Sequence, residues 1–229
     1  MIAKKKKFAV GSIMLLVFFV VLLIMFSKVF GNKNGLEYLD DLYNSISKGS
    51  AYYIPKVKTE TDKYMGMRIE LSVDMGDREQ AEQAISIFEK SGASVVASDS
   101  IIRVKGDLGK ILENCIEDAD SMYNNDGNAV SRKYGYNERQ VLYNWWLACN
   151  EMDKDLKRQK KFDAAKVVDL MKMKAVETSY NYYRIEPQKI TDRLGVVTFS
   201  LIFYVVYTLW YGFAIMYLLE GWGLRLEEH

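Results

Sequence analysis

Carboxylates concentrate at one point of the chain, where Glu117, Asp118, Asp120 and Asp126 stand beside Asn124, Asn125 and Asn128. So many oxygen donors suit a hard cation such as calcium, or a hydrolysis carried by Asp118 or Asp120. The spacing lacks the central glycine and terminal glutamate of an EF-hand loop. A solvated helix end followed by a turn accounts for the same residues and is the reading adopted. Met65, Met67, Met171 and Met173 are the soft-metal candidates, yet methionine at alternating or helical positions is ordinarily core filling. His229 is the only histidine, so a Ser–His or Cys–His pair and histidine ligation are not expected in the folded part. CxxC, CxxCH and a glycine-rich phosphate loop do not occur. The expectation is a non-enzymatic protein without cofactor or metal.

Cys115 and Cys149 are the two cysteines. An oxidising compartment permits a disulfide between them, but spacing cannot establish one. Two small buried hydrophobes on helices explain them equally well.

The tyrosines near the C-terminal end carry the most suggestive pattern. At about 100° per residue, Ser200, Tyr204, Tyr207 and Tyr211 fall in one helical stripe, with Thr208 at its edge and Gly212 beside it. They lie inside an apolar run from Leu194 to Leu219 that holds no charged residue. A phenolic hydroxyl in hydrocarbon costs free energy unless it finds a partner. The other apolar run, Phe8 to Phe26, is uncharged, and Ile13 to Phe26 carries no polar side chain to serve as that partner. Either backbone carbonyls one turn back take up the hydroxyls, or the stripe faces another protein. On the second reading Ser200, Tyr204, Tyr207, Thr208, Tyr211 and Gly212 form a partner-contact face, with glycine permitting close approach.

Both runs meet the requirement of roughly 20 apolar residues for crossing a bilayer core. The first is longer than a signal-peptide h-region, and Ser27 to Gly31 offers no small-x-small cleavage site, so it reads as a signal anchor. Lys4 to Lys7 precede it, and short basic tails stay cytoplasmic. The expected organisation is a basic tail (1–7), a transmembrane helix (8–30), an extracytoplasmic α+β domain (31–125), a helical hairpin (126–193), a second transmembrane helix (194–219) and a cytoplasmic tail (220–229). The expected location is a bacterial-type inner membrane, with both termini cytoplasmic and the central domain periplasmic. The overall charge is +1, which gives no electrostatic argument for nucleic acid.

Within the outer segment, Leu36, Leu39, Leu42, Tyr43 and Ile46 recur at helical spacing up to Gly49. Ala51 to Val57 is β-prone and contains Pro55, which limits it to an edge strand. Met67 to Val73 alternates as a half-buried strand. Asp77 and Gln80 resemble a capping box opening a helix that buries Ala81, Ala84, Ile85 and Phe88 and stops at Gly92. Strands at Ser94–Ala97 and Ile101–Lys105 follow, then a helix from Asp107 with Ile111, Leu112, Cys115, Ile116 and Ala119 on one face. The order of elements predicts a small ferredoxin-like α+β unit. Asn124 to Asn128 is a turn-rich break, and 137–186 lacks glycine and proline. That span reads as a long helical hairpin turning near Gln159 to Phe162, with Pro187 at the junction to the membrane.

Polysaccharide co-polymerases also set an α/β base and a helical extension between two terminal membrane helices, and this chain resembles them in that layout. It departs in its short outer domain and in having Pro187 alone where they carry a proline-rich segment. The expected function is an accessory or scaffold subunit of a membrane complex, contacting other membrane subunits or a second copy, and the lipid bilayer. A periplasmic ligand-sensing module acting through a partner, and an oligomeric regulator with the co-polymerase-like layout, are the alternatives.

Overall fold

The computed structural model describes residues 2–29 and 31–224. His229 and half of the expected C-terminal tail, residues 225–229, lie outside them. In chain order the elements are α1 (Lys5–Phe26), α2 (Gly35–Lys48), α3 (Ile54–Thr61), β1 (Arg68–Asp74), α4 (Arg78–Lys90), β2 (Ser94–Ser98), β3 (Ile101–Asp107), α5 (Leu108–Tyr123), α6 (Gly127–Tyr134), α7 (Glu138–Arg158), α8 (Phe162–Met171), a π-helical turn (Lys172–Val176), α9 (Glu177–Tyr182) and α10 (Leu194–Trp222). The protein is thus a mixed α+β chain, mostly helical, with one small sheet and two long apolar helices. It divides into two compact units, one formed by Met1–Gly49 with Pro187–His229 and the other by Ser50–Glu186.

In the first unit α1 and α10 pack along each other. Two glycines let their backbones touch. A Cβ on Gly11 would stand 2.7 Å from the Leu218 amide nitrogen and 2.9 Å from the Ala214 carbonyl oxygen. One on Gly221 would stand 2.6 Å from the Phe8 Cα. The start of α1 and the end of α10 lie together, since the Lys4 amide donates to the Gly221 carbonyl (2.9 Å) and Lys7 pairs with Glu220. Helix α2 opens with a complete capping box. Asn34 accepts from the Leu36 and Glu37 amides, while Glu37 accepts from the Asn34 amide.

The second unit is organised by the alternation in β1 and β3. Ile69, Leu71 and Val73 turn inward with Ile102 and Val104, while Arg68, Glu70, Arg103 and Lys105 face out. The sheet is antiparallel in the order β1-β3-β2, and Glu70 opposite Lys105 forms an ion pair across it. Asp77 caps α4 through the Gln80 amide (2.8 Å), and Ala81, Ala84, Ile87 and Phe88 enter the core. Ile87 takes the deeper place expected for Ile85, which is half-buried. The expected face of α5, including Ile111, Leu112, Ile116 and Ala119, is buried. Phe88 meets the fully buried Trp145 of α7 edge-on at 5.6 Å, so the helical hairpin and the sheet share one core.

Among the described residues the sheet has three strands, and α5 leads into α6 where a ferredoxin-like chain would return to a fourth strand. The outer edge of β1 is covered by the end of α7 instead. Asp155 Oδ2 accepts the Ser72 amide (3.2 Å), and Gln159 Nε2 donates to the Glu70 carbonyl (2.8 Å). Two side chains thereby satisfy edge groups that would otherwise template pairing with another strand.

Three local expectations are corrected. The proposed edge strand at Ala51–Val57 is the start of helix α3. Pro55 sits in its first turn, where its fixed φ suits a helix, and Ile54, Val57 and Thr61 are buried at helical spacing. The break at Asn124–Asn128 already contains the start of α6, capped by Asp126 and closed by Gly135 in the left-handed conformation. The second arm of the hairpin is not one regular helix but α8, a π turn and α9. The hairpin itself turns where expected, with Lys160 at φ 61°.

Candidate functional site

The tyrosine-bearing face of α10 divides when its side chains are placed. Ser200 and Tyr207 turn toward the other helices of their unit. Ser200 Oγ donates to the Val197 carbonyl (2.9 Å) and lies 2.6 Å from the Tyr43 hydroxyl of α2. Tyr207 stacks on Phe18 at 4.2 Å and 13°, and its hydroxyl donates to the Phe18 carbonyl of α1 (2.8 Å). This corrects the expectation that the first apolar helix has no partner to give. A carbonyl that already accepts within its own helix keeps a second lone pair, and α1 offers that. Trp210, which the sequence reading passed over, does the same, donating from Nε1 to the Met14 carbonyl (3.2 Å). Its i, i+3 spacing from Tyr207 was the available signal.

Tyr204 and Thr208 face outward, while the part-exposed Tyr211 ring lies against Phe18 of α1 at 5.1 Å. Thr208 Oγ1 donates to the Tyr204 carbonyl one turn back (2.7 Å), an intrahelical bond at an exposed position. Tyr204 is 69% exposed and Tyr211 46% exposed. Among the described residues neither hydroxyl has a hydrogen-bond partner. A Cβ on Gly212 would meet nothing within 4 Å. Gly11 and Gly221 are already used in the α1–α10 contact, so Gly212 is a glycine of these helices with an open flank.

In the second unit the clustered carboxylates are divided among separate structural tasks. Asp126 caps α6 through the Ala129 amide (3.2 Å), and Asp120 accepts the Tyr52 hydroxyl (2.8 Å). Asp118 is buried. It accepts from Lys133 Nζ (2.7 Å), the Tyr134 hydroxyl (2.6 Å) and Trp145 Nε1 (2.8 Å). Asn114 extends the network, accepting from Lys133 (2.6 Å) and donating to the Tyr134 oxygen (3.0 Å) and the Ile87 carbonyl (3.1 Å). Burial, and then the Asp118 charge, push the Tyr134 phenol far above its ordinary value and keep it protonated. All three donors to Asp118 come from the protein, so the cluster pins α5 to α6 and α7. Among the described residues no group of three acidic, cysteine or histidine side chains is gathered for a metal.

Cys115 on α5 and Cys149 on α7 are brought together in the core as free thiols. Burial raises the Cys115 thiol well above its usual range, and the hydrogen bond to Cys149 adds to it. Of the methionines, Met171 is buried while Met65 and Met173 are exposed. What the sequence reading did not find is an aromatic cleft of about 390 Å³ between α7 and the π turn and α9, lined by Tyr143, Trp146 and Tyr180. The signal was present as i, i+1, i+4 spacing in Leu142, Tyr143 and Trp146, matched by Val176, Glu177 and Tyr180. No family model matches this chain, and neither the curated proteins nor the solved structures yield a match to it.

Proposed function

We propose that this chain is a non-catalytic accessory or scaffold subunit of a membrane complex, anchored by α1 and α10 and docking a partner helix on the Tyr204–Thr208–Tyr211–Gly212 flank of α10. The observation that carries the reading is that flank. It presents two phenolic hydroxyls without a partner beside a glycine with nothing against it. In hydrocarbon an unpaired hydroxyl is costly, and a neighbouring helix relieves that cost with acceptors and close backbone approach.

The anchoring half of the proposal rests on length and exposure. At about 1.5 Å per residue α1 spans about 33 Å and α10 about 43 Å, against a bilayer core of about 30 Å. Both are exposed along most of their surface, with Ile13 and Leu16 each 64% exposed and Phe199 66% exposed. A core helix of a soluble protein buries such residues. Lys4 to Lys7 orient the N-terminus to the cytoplasm, and the Lys7–Glu220 pair supports bringing the end of α10 to the same side. The unit Ser50–Glu186 then belongs outside, in an inner-membrane protein of bacterial type.

Site-directed cross-linking in native membranes tests this. Thr208→Cys is expected to form a discrete adduct with a second polypeptide, and Val206→Cys, about 160° around the helix at 100° per residue, is not. On blue-native gels Gly212→Leu is expected to release a species near the 26.4 kDa of the chain. A wild-type chain that migrates only at that mass, and cross-links equally weakly at both positions, overturns the proposal.

A further inference from the structure

The aromatic cleft of the second unit has a composition that selects one kind of ligand. Its walls are the rings of Tyr143, Trp146 and Tyr180, its floor Leu142 and Val176, and its polar groups Glu177 and Asn181. Tyr143 and Trp146 lie nearly parallel, 14° apart with centroids at 6.1 Å, and Tyr143 is 39% exposed. Glu177 is the charged residue of the lining. Its Oε1 accepts the Trp146 indole N–H (2.8 Å), and among the described residues no cation pairs with its carboxylate. One wall ring already faces a cation, for the Arg139 guanidinium lies 5.3 Å from the centroids of both Tyr180 and Tyr183, which leaves the Tyr143 and Trp146 rings to meet a ligand. The π turn at Lys172–Val176 widens the helix where it borders the cleft and sets Val176 and Glu177 toward α7. Such turns recur at functional sites.

We propose that this cleft binds a small organic cation of the trimethylammonium class. A charge spread over methyl groups is attracted by the negative faces of aromatic rings and is weakly hydrated, so it gives up little on entering an apolar wall. Glu177 supplies the counter-charge, held in place by the indole N–H. A hydrated metal ion would find one carboxylate and no further anionic ligand there, and an anion would be repelled. The proposal does not depend on the scaffold reading, since the α10 flank and the cleft belong to different units.

The test uses the full-length protein in a maltoside detergent, whose headgroup carries no competing cation. Choline is titrated against tryptophan fluorescence and by calorimetry, with its neutral tert-butyl isostere as control. Saturable choline binding is expected, with the isostere about tenfold weaker or worse. Glu177→Gln is expected to weaken choline about tenfold at an unchanged thermal midpoint. Tyr143→Ala, at an exposed position, is expected to do the same and decides the matter if the glutamate variant does not fold. Displacement of choline by short-chain phosphatidylcholine assigns the site to a lipid headgroup, and its failure assigns it to a free solute. An isostere that binds as tightly as choline, affinities unmoved in both variants, or no saturable binding at all overturns the proposal.

Discussion

Replacing Asp118 by alanine removes the acceptor on which three donors converge. The Trp145 indole N–H is left in a fully buried site without a partner, and the Tyr134 hydroxyl loses the oxygen that takes its proton. Lys133 fares better. It keeps the Asn114 oxygen at 2.6 Å, and its side chain is 28% exposed, so water can solvate the ammonium. Breaking a buried pair typically costs about 3–5 kcal/mol, and an orphaned neutral donor about 1–3 kcal/mol. With Lys133 able to recover some solvation, the lower end applies, about 3 kcal/mol. That is a large part of a stability of about 5–15 kcal/mol. In urea, with a slope of about 2 kcal/mol per molar, the midpoint should fall by about 1.5 M, followed by tryptophan fluorescence on the full-length protein in detergent. Trp145→Phe deletes the donor while leaving most of the ring, and combined with Asp118→Ala it should cost about 1 kcal/mol less than the sum of the single changes. An Asp118→Ala midpoint within about 0.3 M of the parent would refute the reasoning, because the network would then contribute nothing that water does not replace.

The edge of β1 gives a second outcome: Asp155→Ala together with Gln159→Ala should speed hydrogen exchange at the Ser72 amide and increase self-association, with about 1–2 kcal/mol lost in chemical unfolding. Gly11→Val drives side-chain atoms into the Leu218 and Ala214 backbone, and thermal unfolding in detergent should register about 1–3 kcal/mol of destabilisation, whereas Gly212→Ala should leave the isolated chain unchanged. In alkali, the Tyr134 and Tyr123 phenols are both raised by burial, Tyr123 to about 12. Their neutral forms therefore stabilise the fold fully below the unfolded value of about 10, and that contribution is lost as pH rises from there through the folded values. Stability measured from pH about 9 to about 12 should fall, and Tyr134→Phe should flatten the fall. A thiol reagent should label Cys115 and Cys149 only after denaturation, and a pair that stays unlabelled in denaturant until reduced would contradict the free thiols.

The elements that were legible in the sequence are those with a strong period or an explicit stop. The alternation from Met67 to Val73, the Asp77 cap, the run from Asp107 and the turn at Gln159–Phe162 each depend on neighbours in the chain and were readable from it. Ala51–Val57 misled because its β-branched and aromatic content favours a strand, while Pro55 fits a helix start equally well. The deciding influence was the burial of Ile54 and Val57 against residues distant in sequence. The roles of the acidic cluster were unreadable for the same reason. Asp118 and Asp120 are two residues apart, so one turns into the core and meets Trp145, and the other turns out to Tyr52. Only the packing of α7 against α5 makes the first a structural pin. Cys115 and Cys149 meet through that same packing.

The two units treat polar groups in opposite ways, and the difference bears on what α10 requires. In the Ser50–Glu186 unit even the edge of the sheet is satisfied by side chains sent from another helix. Among buried side-chain atoms of the described residues, only Asp153 Oδ1 and Ser179 Oγ lack a partner. On α10 the same economy holds for Ser200, Tyr207 and Trp210, which turn to α2 and α1, down to the borrowed carbonyls of Met14 and Phe18. Among the described residues the Tyr204 and Tyr211 hydroxyls, near the middle of the apolar run, have no such partner. In water those hydroxyls would need nothing, but water is what the surrounding valines, leucines and phenylalanines exclude if the helix lies in a bilayer. A helix pair that recruits backbone oxygens for Tyr207 and Trp210 has solved this problem twice within its own structure. The Tyr204 and Tyr211 hydroxyls pose it again, and on the proposed reading a partner with an acceptor close to Gly212 would answer it.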